Sequence, residues 1–77
     1  MMAIDSGKYM NIGEALAKKG EYDKALLVFN KAIEINPKCA QAYFGRGNVF
    51  FAKGLLNKAI IDYNKSISLD PSYGGCY

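Results

Sequence analysis

The chain has 77 residues, enough for one small domain, and its apolar half argues against disorder. The net charge of +3 is scattered, with no basic run longer than Lys18-Lys19, so no nucleic-acid stripe is indicated. Two cysteines, Cys39 and Cys76, and no histidine exclude a zinc site and a disulfide-dense secreted scaffold, and both cysteines are expected as free thiols in a reducing, cytoplasmic setting.

Residues 1–5 read as a leader, and a first helix is expected from Ser6 to Lys19. Ser6 or Asp5 can cap its start, and Gly20 can close it in the left-handed conformation. Asp23 is expected to cap a second helix, in which Ala25, Phe29, Ala32 and Ile33 share one face. That helix must stop near Asn36, because Pro37 pushes the residue before it out of helical geometry. A third helix is expected from Ala40 to Gly54 and a fourth from Asn57, its expected cap, to Leu69. Small residues at Gly13, Gly47, Ala25, Ala59 and Ala32 would let paired helices approach closely.

The second half repeats the first. Tyr9/Tyr43, Gly13/Gly47, Gly20/Gly54, Ala25/Ala59, Asn30/Asn64, Ile33/Ile67 and Pro37/Pro71 are each 34 residues apart, as are Lys19/Lys53, Lys24/Lys58 and Lys31/Lys65. Each unit therefore reads as one helix-turn-helix, and the chain as all-α. Tyr9, Ile12, Gly13, Leu16, Ala25, Phe29, Ala32 and Pro37, with Tyr43, Gly47, Phe50, Ala59, Tyr63 and Pro71, make a pattern that resembles the tetratricopeptide repeat. The resemblance covers residues 6–73 and implies an α-solenoid of two antiparallel helix-turn-helix hairpins, 6–39 and 40–73. Tyr77 lies 34 residues beyond Tyr43, so residues 74–77 read as the start of a truncated third repeat or a tail.

The two copies also differ. Ile12 and Val28 of the first unit become Arg46 and Asp62 in the second, which suggests an apolar contact replaced by an ion pair across the hairpin. Leu27 and Ile61 are apolar where the resemblance implies a polar outward place, and Leu55 is apolar in a turn that is usually acidic. These are candidates for a surface that meets another chain.

No Ser-His or Cys-His pairing is possible, and the glycines mark helix ends and contacts instead of a phosphate loop. An enzyme is not expected, nor a cofactor, and no apolar run approaches the ~18 residues of a membrane span. The resemblance implies binding to a protein or peptide. It carries a concave groove onto Met10, Asn11 and Glu14, then Phe44, Gly45, Asn48 and Phe51. Phe44 and Phe51 lie seven apart and share a face, which suits a short apolar or amphipathic segment. The subtype that clamps the acidic end of heat-shock chaperones is not matched, because Met10, Glu14 and Gly45 stand at its required places. The alternative is a self-associating structural repeat. Ile60, Ile61, Ile67 and Leu69 on the last helix would support a homo-oligomer, through end-to-end stacking or aromatic contacts.

Overall fold

The computed structural model describes residues 6–69. These form four helices and, among the described residues, no strand: α1 Ser6–Lys18, α2 Tyr22–Ile35, α3 Ala40–Ala52 and α4 Leu56–Leu69. The leader at 1–5 and the expected third-repeat start at 74–77 lie outside the described residues. Helices α1 and α2 make one hairpin and α3 and α4 the other, while α3 also packs on α2 and touches α1. The all-α repeat architecture expected from the 34-residue period is the architecture found.

Both hairpin turns are built the same way. Gly20 (φ 84°) and Gly54 (φ 81°) take the left-handed conformation, which costs a glycine nothing. Around the first, the Glu21 N–H donates to the Leu16 carbonyl at 3.0 Å and the Gly20 N–H to that of Ala17 at 2.9 Å. Around the second, Leu55 donates to Phe50 at 2.8 Å and Gly54 to Phe51 at 3.0 Å. This paired closure satisfies carbonyls that the helix end would leave open. It also starts the next helix one or two residues earlier than expected. Glu21 is the N-cap of α2, with no side-chain capping bond, and α4 starts at Leu56. The expected caps Asp23 and Asn57 therefore lie within the first turns of their helices. Asp23 still favours the positive end of α2.

The turn between the repeats uses a different device. Asn36 leaves helical geometry (φ −137°, ψ 92°), as the following Pro37 requires. Its carbonyl accepts from the Cys39 N–H at 3.0 Å and its Oδ1 from the Lys38 N–H at 3.1 Å. Asparagine and proline together thus fold the chain back so that α3 lies on α2.

The core sits at that α2–α3 contact. Phe29 is 1% exposed, and its ring is held between Gly13 of α1 and Gly45 of α3. A Cβ at Gly13 would lie 2.9 Å from the ring and one at Gly45 2.7 Å, so only glycine admits the ring at both places. Ala25, Phe29 and Val49 form one buried cluster and Ala32, Cys39 and Ala42 another. The second hairpin repeats the glycine contact, with Gly47 against the ring of Tyr63. Cys39 is fully buried and disulfide-bonded, so the expectation of a free thiol does not hold there. Cys76 lies outside the described residues.

Candidate functional site

Three surface features stand on this frame. The first is the polar cluster at the junction of α2, α3 and α4. Arg46 donates from Nε to Asp62 Oδ2 and from Nη2 to Asp62 Oδ1, both at 2.8 Å. Asp62 is the buried charged residue of the core, 3% exposed. The third arm of the guanidinium, Nη1, donates to Asn30 Oδ1 of the first repeat at 2.8 Å. Its flat face lies 5.4 Å from the Tyr43 ring and 5.8 Å from that of Phe50. The hydrogen bond to Asp62 raises the Arg46 pKa, while burial works in the opposite sense, so the guanidinium stays charged. The expected ion pair is thus present, but Asn30 and the two rings were not anticipated. The repeat contained one signal of Asn30: it recurs as Asn64.

The second feature is a shallow concavity of ≈ 360 Å³ between α1 and α3. Glu14, Ala17 and Lys18 line it from α1 and Phe44 and Asn48 from α3, with Phe29 and Gly45 completing the wall. Glu14, Phe44 and Asn48 are therefore together, as the groove expectation had them. Met10, Asn11 and Phe51 do not line it. Met10 is half-buried against the Phe29 cluster, while Asn11 and Phe51 are exposed elsewhere on their helices. Asn48 Oδ1 accepts from the Tyr63 hydroxyl at 2.7 Å, a bond that leaves the two amide N–H donors unused. Ala17 and Lys18 escaped the sequence reading, although Lys18 is one helical turn from Glu14.

The third feature is the outer face of the second hairpin, seen by comparing places 34 residues apart. In the first hairpin Met10, Ala17, Tyr22, Leu26, Phe29 and Ile33 pack into the two buried clusters that α3 completes. Their counterparts in the second are Phe44, Phe51, Leu56, Ile60, Tyr63 and Ile67. Five of the six are exposed: Phe44 53%, Phe51 61%, Leu56 52%, Ile60 54% and Ile67 62%. Tyr63 is half-buried, its ring 5.5 Å from that of Phe44. Phe44 therefore serves both the concavity and this face, and Phe51 shares its helical stripe. Of the residues expected to support self-association, Ile60 and Ile67 lie here. Ile61 lies instead on a separate depression with Asn30, Arg46, Phe50, Lys58 and Asp62, and Leu69 is half-buried.

Among the described residues, no group of three or more metal-ligating side chains is gathered. No described helix is long and apolar enough to cross a membrane.

A family model for the TPR repeat matches residues 13–54, and a model for the tetratricopeptide repeat matches residues 40–73. A search of curated proteins finds no match.

Proposed function

The chain belongs to the tetratricopeptide repeat family, whose repeats mediate protein–protein interaction, and on that premise we propose that its concave α1–α3 face binds a short amphipathic peptide segment. The observation that carries this reading is the chemistry of the concavity. Its wall is aromatic and small, from Phe29, Phe44, Ala17 and Gly45, and its rim is polar, from Glu14, Lys18 and Asn48. An apolar side chain would rest against Phe44, and the Asn48 amide would donate to a peptide carbonyl. Glu14 and Lys18, one turn apart, would favour a segment that carries both signs of charge over a uniformly acidic or basic one.

The test is a peptide array read with the full chain. Amphipathic segments with one bulky apolar residue and mixed charge should be retained. Exchanging the charges, Glu14→Lys with Lys18→Glu, should change which sequences are retained, and Asn48→Ala should weaken them about tenfold, near 1.4 kcal/mol. Retention indifferent to all three substitutions would refute the reading. Self-association is a second reading, supported by a separate observation: Ile60 and Ile67 stand exposed on α4.

A further inference from the structure

We infer that the outer face of the second hairpin pairs with the same face of a second copy, giving a two-fold dimer across α4. This rests on the self-association reading and adds which face is used and which is not.

The first step is that the face is built for cover. Its first-repeat counterpart is already covered, by α3, so the structure itself shows what such a surface does when a helix is at hand. On α4, the exposed Leu56, Ile60 and Ile67 and the half-buried Tyr63 form one stripe, spaced four, three and four, while Ile61 is exposed to one side of it. That is the seam spacing of helices that interlock side chains. The charged residues of α4, Lys58, Asp62 and Lys65, fall off this seam.

The second step excludes head-to-tail stacking. If α1 of another copy sat on α4 as α3 sits on α2, its residues would take the places of those in α3. The α3 residues buried at that contact are small: Ala42 is fully buried, and Gly45 touches the Phe29 ring. The α1 residues 34 positions earlier are Lys8 and Asn11. A lysine would be buried where an alanine fits. An asparagine would enter a place where even a Cβ comes within 2.7 Å of an aromatic ring. The outer faces of α1 and α4 are thus unlike, one polar and one apolar, and a head-to-tail filament of this chain is disfavoured. An apolar α4 face that cannot take the α1 face of another copy can still take itself, and an isologous contact closes after two copies.

The third step is area. Side chains of this size, each about half exposed, offer roughly 100 Å² apiece. The whole face then contributes roughly 500–600 Å² per copy, or about 1,100 Å² in total, just above the ≈ 1,000 Å² that a specific interface needs. The dimer should therefore be weak and concentration-dependent.

Sedimentation velocity of the full chain from about 10 μM to about 1 mM tests this. A monomer–dimer equilibrium is expected, with no larger species. Ile60→Glu, at an exposed site that should leave the helical circular dichroism unchanged, should raise the dissociation constant about a hundredfold, since two copies of the side chain are lost. Ala15→Arg, on the exposed α1 face that head-to-tail stacking would use, should leave it unchanged. A chain that stays monomeric at the highest concentration overturns self-association itself. A dimer that survives Ile60→Glu, one that Ala15→Arg dissolves, or oligomers that grow with concentration would each overturn the two-fold α4 pairing while leaving self-association standing.

Discussion

Replacing Arg46 by isoleucine should destabilise the chain far more than replacing Arg46 and Asp62 together by apolar residues. Arg46→Ile strips the Asp62 carboxylate of two hydrogen bonds of 2.8 Å and of its counter-charge, at a place only 3% exposed. Breaking a buried pair in this way costs ~3–5 kcal/mol. The Arg46 side chain is 23% exposed, so some water can reach the vacated site, and the lower end, about 3 kcal/mol, is the better figure. Against a whole-chain stability of roughly 4–12 kcal/mol for this length, that is a large fraction. Asp62→Val should cost less, because the guanidinium keeps Asn30 and the faces of Tyr43 and Phe50. The double variant Arg46→Ile with Asp62→Val installs the pair that the first repeat already carries as Ile12 and Val28. It should fall within about 1 kcal/mol of the parent, or exceed it, since apolar replacements of buried ion pairs are often neutral or stabilising. Urea denaturation followed by far-ultraviolet circular dichroism, at one fixed protein concentration, measures all four corners of the cycle. If the two single effects simply add, within ~0.5 kcal/mol, Arg46 and Asp62 are independent and the argument fails.

Three further outcomes follow from the same geometry. Gly45→Ala places a Cβ 2.7 Å from the Phe29 ring, which Gly13 confines on the other side. Overpacking should outweigh the helix propensity gained, for a net loss of about 1–2 kcal/mol, and Phe29→Leu in the same chain should return part of it. A denaturation midpoint unchanged by Gly45→Ala would show that the ring has room to move. Gly54→Ala meets no neighbouring atom within 4 Å, so its cost is that of the left-handed backbone alone, about 1 kcal/mol, read as a lowered midpoint. Lys53 pairs with Asp23 across the two repeats, but the Asp23 side chain is 86% exposed. Lys53→Met should therefore change stability by less than ~1 kcal/mol in urea titrations, and by less still in high salt.

How much of this could be read from the chain depends on which kind of information a repeat carries. The 34-residue offset revealed the helix count, the turn glycines and the Arg46–Asp62 exchange, because each is a statement about one place in two copies. The helix starts differ from the expected ones by one or two residues: Asp23 and Asn57 look like caps, but the closure around Gly20 and Gly54 lets α2 begin at Tyr22, behind Glu21 as N-cap, and α4 at Leu56. Asn30 was missed because its bond to Arg46 crosses from one repeat to the next, and helical period describes only what lies within a helix.

The aromatic pair Phe44 and Phe51 shows where period stops informing. A spacing of seven places both on one stripe of α3, but a stripe on a solenoid helix can look into the groove, toward the next repeat, or both. The information that separates these was in the sequence all along, at Met10 and Ala17. In the first repeat those places pack beneath α3. Because Met10 and Ala17 pack against the Phe29 cluster, the 34-residue offset puts Phe44 and Phe51 at the corresponding edge of the second hairpin. That placement changes what a mutation there can mean. Phe44→Ala with Phe51→Ala would strip apolar surface from the concavity and the outer face at once, so a loss of peptide binding and a loss of pairing would arrive together. Ile60→Glu acts on the outer face alone and Glu14→Lys with Lys18→Glu on the concavity alone, so these are the substitutions that can tell a peptide-binding chain from a pairing one.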